Sequence, residues 1–245
     1  MDAVLPINHR AWLLAGWLLC MPAWSSVARA EPPRVLTDEL REFEIRVKDK
    51  PAGRSTLRIV ELDDGTSVAA TDASVSLSLV VYTYHYEFHG REKWQNDQLL
   101  HVDNRAVDAG TQLAVRAEVD RQGSTIYVRG RPARRAPVLT MTTNYWHLPT
   151  ADRSGGTLSV LDADTGTLHR ARLERIGSEA MAVSGQRLAC TRYHLAGSIT
   201  AELWFDADNR LVRQQTVEDG YPTEMRLARL VRTLPDAEPR TASID

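Results

Sequence analysis

The sequence predicts an all-β fold, an antiparallel meander of about a dozen strands forming a strongly curved sheet, half-barrel or barrel. Three observations carry this. Apolar residues recur at every second position in segment after segment, Gly/Asp/Asn-rich turns separate the segments, and no amphipathic helix longer than about two turns meets the i, i+3, i+4 pattern. The long run Val75–Phe88 (VSLSLVVYTYHYEF) is the clearest case. Val75, Leu77, Leu79 and Val81 put apolar side chains on one face, and then Tyr82, Tyr84, Tyr86 and Phe88 continue the series on even positions. Taken as one strand, this parity change implies a bulge near Val80–Tyr82, or a strand passing between two buried faces as a sheet curls.

The remaining elements follow in order. Phe43, Ile45 and Val47 alternate with charged residues as a half-buried strand, and Thr37–Arg41 before it is the one plausible short helix. Asp63-Asp64-Gly65 is a hairpin turn. His89-Gly90 is expected to end the central strand, Glu92–Gln95 to begin the next, and Asp103-Asn104 to break the chain again. Leu113, Val115, Ala117 and Val119 alternate cleanly, and Thr125–Arg129 returns. The segment Thr142–Pro149 is rich in aromatics. The second half repeats strand and turn through Leu158–Leu161, Leu168–Ile176, Ala180–Val183, Arg187–Leu195, Ile199–Phe205, Leu211–Val217 and Glu224–Val231.

The N-terminus reads as a secretory signal peptide over residues 1–30. Arg10 precedes a short apolar run through Trp24, and Ala28-Arg29-Ala30 supplies an A-x-A cleavage site, so the expected location is periplasmic. No integral membrane span is expected after cleavage; the run is shorter than the roughly 20 residues a spanning helix needs. Residues 31–40 form an N-terminal lead, 41–232 a single β-barrel-like domain and 233–245 a flexible tail. The chain has a formal net charge of −2, which becomes −3 without the signal's Asp2, Arg10 and Arg29. That balance and the lack of a basic patch argue against nucleic acid as a partner. Cleavage leaves Cys190 as the one cysteine, so no internal disulfide is available.

Few residues suggest chemistry. His85, Glu87 and His89 share a strand face and are weak candidates for a divalent metal, although i, i+4 positions stand about 13 Å apart in an unbroken strand. Asp162-Ala163-Asp164-Thr165-Gly166 resembles the start of a calcium loop, but its glycine comes early and no closing glutamate follows. Nucleophile motifs, phosphate-cradling loops and dinucleotide fingerprints are missing, and no cofactor is expected. The remaining candidates are aromatic: Tyr82, Tyr84, Tyr86, Phe88, Trp94, Tyr145, Trp146 and Trp204 either line an apolar ligand pocket or fill the core.

Glu92 with Trp94, Thr143–Trp146, the Leu161-Asp162…Thr165-Gly166 turn, Arg192–Gly197 and Leu203–Asp206 resemble an uncharacterised domain-of-unknown-function family of secreted, β-rich proteobacterial proteins. The resemblance spans roughly Phe43 to Leu230 and departs where the family often has Trp-Tyr-Asp and this chain has Trp204-Phe205-Asp206. It implies a secreted β-rich fold and supplies no mechanism. More distantly, the meander is similar to periplasmic half-barrels that carry lipoproteins or lipids, a likeness of fold only. The leading expectation is a non-enzymatic periplasmic protein binding an apolar or amphipathic, lipid-like ligand. The alternatives are an envelope scaffold that binds another protein through an outer sheet face or edge, and a metal-dependent enzyme using His85, Glu87 or His89.

Overall fold

The computed structural model describes residues 31–78, 83–96, 98–149, 156–218 and 220–234. The expected signal peptide, the expected tail beyond Leu234, and Tyr82 lie outside the described residues.

The alternating segments become β1 (Val35–Val47), β2 (Lys50–Leu62), β3 (Thr66–Ser78), β4 (Thr83–Gln95), β5 (Gln98–Asp108), β6 (Thr111–Asp120), β7 (Gly123–Val128) and β8 (Arg134–Ala136). They continue as β9 (Met141–Thr142), β10 (Leu158–Leu161), β11 (Leu168–Val183), β12 (Gln186–Gly197), β13 (Ala201–Phe205), β14 (Leu211–Glu218) and β15 (Tyr221–Thr233). No helix occurs among the described residues. These strands form one 15-stranded sheet in the order β8-β7-β6-β5-β4-β3-β2-β1-β15-β14-β13-β12-β11-β10-β9. Two meanders therefore run outward from a central seam where first and last strands pair, with Phe43 opposite Leu227 and Ile45 opposite Met225. Neighbours are antiparallel except β9 with β10.

Connectivity forces the curvature. Fifteen strands about 4.8 Å apart would span roughly 67 Å if flat. The edge strands β8 and β9 are joined by only four residues, Pro137–Thr140, a tether reaching at most about 18 Å. The sheet must curl until its edges come near each other, yet they do not pair. The result is a curved, barrel-like, unclosed sheet, with Phe43, Ile59, Trp94, Leu99, Ile126, Trp146 and Leu161 in one buried cluster drawn from both meanders.

The parity change in Val75–Phe88 has a simpler cause than a bulge. The run is a hairpin, with β3 paired to β4 through Val75↔Tyr86, Leu77↔Tyr84 and Ser78↔Thr83. Each pair joins an odd to an even number, so one sheet face is odd before the turn and even after it. The expected strand ends at His89-Gly90 and Asp103-Asn104 are likewise absent. β4 and β5 run through both, and Gly90 pairs with Asn104. Gly90 is small because Phe88 lies over it: a Cβ there would stand 2.6 Å from Phe88 Cε1 and 2.8 Å from Asn104 Oδ1.

Two other expectations change. Thr37–Arg41 is not helical but extends the β1 alternation, with Thr37, Glu39 and Arg41 buried on the same parity as Phe43 and Ile45. Leu168–Ile176 and Ala180–Val183 are one strand, β11, interrupted by a register shift between Arg175 and Gly177. Its hairpin with β12 folds back across the sheet, where the Ser184 hydroxyl donates to the Ala228 carbonyl of β15.

Gly90→Ala is expected to overpack this seat and destabilise the fold by about 1–3 kcal/mol. Urea denaturation followed by tryptophan fluorescence measures it, and an unchanged midpoint would refute the assigned close approach.

Candidate functional site

The even face of β4 turns inward and carries a carboxylate, Glu92, which is 1% exposed. Its Oε1 accepts hydrogen bonds from the Thr142 hydroxyl at 2.7 Å and the Asn144 amide at 2.6 Å. Its Oε2 accepts from the indole N–H groups of Trp94 at 3.0 Å and Trp146 at 2.7 Å. Four donors saturate a buried anion that would otherwise carry a large desolvation cost. Three of those donors belong to the segment 142–146, which this carboxylate holds against β4. The indoles of Trp94 and Trp146 meet edge to face, centroids 5.7 Å apart, and the His147 ring lies 4.4 Å from Trp94. Tyr145, at φ 51°, turns the backbone between them.

The Asp162–Gly166 motif makes a second joint. Asp162 Oδ1 accepts the backbone N–H groups of Asp164 and Thr165, an Asx turn of the kind these residues favour. The turn docks on the other meander: Asn104 Nδ2 donates to the Ala163 carbonyl at 3.0 Å, Tyr86 donates to Asp164 Oδ2 at 2.6 Å, and Arg134 donates to the Gly166 carbonyl. Burial pushes the Asp164 carboxyl up to about 7, aided by the charges of Asp162, Glu218 and Asp108 and opposed by the Tyr86 hydrogen bond. Burial and the Asp164 charge also push the Tyr86 phenol above its ordinary range.

The aromatic candidates are thus spread over several environments. Tyr84 donates to Asp108 and Tyr86 to Asp164. Phe88 packs with Ala106 and Ala163. Trp94 and Trp146 hold Glu92. Tyr145 packs among Met141, Leu173 and Leu203, its hydroxyl buried without a hydrogen-bond partner among the described residues. Trp204 stands apart, on the sheet face of Arg192 and Arg213, whose guanidinium groups lie 5.3 and 4.6 Å from its ring centroid. Its indole N–H donates to Glu179 of the folded-back hairpin. Cys190 is buried nearby, and burial pushes its thiol up to about 11.

His85, Glu87 and His89 occupy the outward face of β4 and are exposed. His89 pairs with Asp72 of β3 at 2.6 Å, both side chains largely in solvent. Among the described residues no group of three or more His, Cys, Asp or Glu side chains is placed to hold a metal ion.

A cavity of about 620 Å³ opens elsewhere, beside the first half of β1. Trp146, Leu148, Pro149, Leu173 and Tyr193 supply apolar surface, and Ile59 sits across the strand pair from Glu39. Thr37, Glu39, Arg41, Glu61, Asp208, Arg210 and Arg232 supply the polar end. Of the aromatic candidates only Trp146 reaches it among the described residues. Glu39 bridges two guanidinium groups, Arg41 Nε to Oε1 at 2.6 Å and Arg210 Nε to Oε2 at 3.0 Å. Arg210 also meets Asp206 at 3.3 Å and Asp208 at 2.8 Å. Burial pulls the Arg41 guanidinium below its usual pKa, against the raising effect of Glu39. The signal for this charged patch was available: the odd-numbered alternation of Phe43, Ile45 and Val47, carried backward, places Thr37, Glu39 and Arg41 inside.

The model of a domain of unknown function, DUF6134, matches residues 43–228. The chain belongs to the DUF6134 family. The matched span contains Glu92, Trp94, Trp146 and Asp164, while Thr37, Glu39, Arg41 and Arg232 lie outside it. Among solved structures, the beta-barrel-like protein of the domain of unknown function DUF1849 from Brucella abortus is similar, with TM-score 0.61 and 6% identity over 82% of this chain and 99% of that one. At that identity the likeness is one of fold. A comparison with the curated proteins finds no match.

Glu92→Gln turns one acceptor oxygen into a donor facing other donors, so the fold should lose about 2–4 kcal/mol in chemical denaturation. Asp164 behaves oppositely to a salt-bridged carboxylate. Its folded pKa of about 7 lies above the unfolded value of about 3.9, so the folded state binds the proton more tightly. Stability should therefore fall as pH rises from about 4 to about 7 and level off above. Asp164→Asn should flatten this slope and gain about 1–3 kcal/mol on the wild type at pH 8 relative to pH 5; parallel slopes in thermal melts across pH would refute the assignment.

Proposed function

We propose that this DUF6134 protein is an exported, non-enzymatic binder of a small amphipathic molecule, held in the cavity beside β1. The observation that carries the reading is that one cavity is lined both by the apolar side chains of Trp146, Leu148 and Leu173 and by the ion-paired cluster of Glu39, Arg41 and Arg210. A volume of about 620 Å³ lies within the range of small-molecule sites, roughly 300–1,000 Å³. A molecule with one apolar and one polar end matches both surfaces.

Two features favour a cavity over the other expected modes. The sheet's edge strands are three and two residues long, which offers a partner strand little backbone to pair with. His85, Glu87 and His89 sit on an exposed face, away from the cavity-lining residues. The signal-like sequence over 1–30 supports export, with the envelope as the expected compartment.

The full chain, expressed in a Gram-negative host and released by osmotic shock, tests both parts. Its N-terminus should read from Glu31, and native mass spectrometry should show an added mass of about 200–500 Da. Leu148→Trp, which narrows the cavity, should lose that adduct while melting at a similar temperature. Recovery of uncleaved chain from the cytoplasm would overturn export, and wild type free of any adduct and of any affinity for amphiphiles would overturn binding.

A further inference from the structure

We propose that the ligand carries an anionic head, a carboxylate or a phosphate, received at the β1–β15 end of the cavity by Arg232 and Arg41; this rests on the cavity being the binding site. Of the carboxylates around the polar end, Glu39 is shared between Arg41 and Arg210, and Asp206 and Asp208 are both taken by Arg210. Glu61 accepts from the Thr37 hydroxyl at 2.8 Å. Arg210 is thus met by three carboxylates.

The other two guanidinium groups are not. Arg41 spends its Nε on Glu39, while its Nη1 is buried with no acceptor among the described residues, on a side chain only 7% exposed. Arg232 lies directly across the strand pair from Glu39 and lines the cavity, exposed, with no ion pair to a described residue. Surplus donors therefore gather at one end of the cavity, on adjacent strands, and both belong to arginine. A guanidinium fork matches the planar oxygens of a carboxylate and the oxygens of a phosphate, and such charge-assisted bonds are stronger than neutral ones. Oriented this way, the head stands beside the exposed Arg232, and the apolar body lies against Trp146, Leu148 and Leu173.

The geometry ranks the contacts. Arg232, at the mouth, makes the first contact and gives the interaction its salt dependence. Arg41 lies deeper and engages when its side chain shifts by a rotamer to bring the unpartnered amino group to the head.

Isothermal titration of the mature protein with decanoate, decyl phosphate and 1-decanol, all below their aggregation concentrations, decides the matter. At least one anionic amphiphile should bind tenfold or more tightly than decanol. The preference should shrink as sodium chloride rises from about 20 to about 500 mM, and in Arg232→Gln it should fall to threefold or less. Decanoate ahead of decyl phosphate would point to a free carboxylate ligand, and the reverse order to a phosphate headgroup; either supports the inference. Because Arg41→Gln alone strands Glu39, the deeper contact is tested with the Glu39→Gln/Arg41→Gln pair, which should also lose the preference. Equal binding of decanol and both anions would overturn the anionic head while leaving the cavity as a binding site. Failure of all three to bind a protein that also lacks any native adduct would overturn the binding reading itself.

Discussion

A carboxylate with four hydrogen-bond donors holds this fold in register with itself. Glu92 sits on β4, deep in the first meander, and its partners Thr142, Asn144 and Trp146 sit on the chain that connects the two halves. A buried anion tolerates few arrangements, since each lost donor leaves charge unsolvated in a low-dielectric interior. The 142–146 segment is therefore held inside the curve of the sheet rather than crossing its outside. In that placement Trp94, Tyr145 and Trp146, which the sequence offers either as pocket lining or as core, are packing and hydrogen-bonding partners. The same placement decides where space remains, at the end where β1 is charged.

The same logic explains how an unclosed sheet stays curled. β8 and β9 exchange no ladder of backbone hydrogen bonds. Contacts across the interior take over that role: Asn104 to the Ala163 carbonyl, Tyr86 to Asp164, Arg134 to the Gly166 carbonyl, and Glu92 to its three partners on the connector. Residues that ordinarily mark turns are used here as seats. Gly90 makes room for the Phe88 ring, Asn104 opposite it receives the Asp162–Gly166 turn, and the turn itself bridges the meanders. The Tyr86–Asp164 contact ties one of these bridges to proton activity, since burial brings that carboxyl to about 7.

At the cavity the inner face of β1 carries Thr37, Glu39 and Arg41 before it becomes apolar at Phe43. Buried charges of this kind need partners, and Glu39 supplies one carboxylate to two arginines. The buried Nη1 of Arg41 and Arg232, without an ion pair among the described residues, distinguish this end from the folded-back hairpin region, where Arg192 and Arg213 are matched by Glu202 and Glu224 and lie over Trp204. Both regions are rich in arginine. In one each guanidinium has a carboxylate partner, and in the other Arg232 has none among the described residues.

Periodicity by itself determined the all-β class, the meander and most strand positions, because alternation and turn chemistry are local and are written in neighbouring residues. The resemblance carried by Glu92, Trp94 and Thr143–Trp146 marked residues that the fold brings into one buried contact. Only the tertiary structure decided the rest. The parity change of Val75–Phe88 reads from the sequence as a bulge, or a passage between two faces, within one strand, and the pairing of β3 with β4 replaces that reading. Gly90 and Asn104 carry breaker chemistry, but long-range packing against Phe88 and Ala163 sets their conformation. Thr37–Arg41 joins β1 because β2 and β15 flank it. Which face of a strand meets solvent, and which buried donor lacks an acceptor, depends on residues dozens or hundreds of positions away; no local pattern encodes those distances.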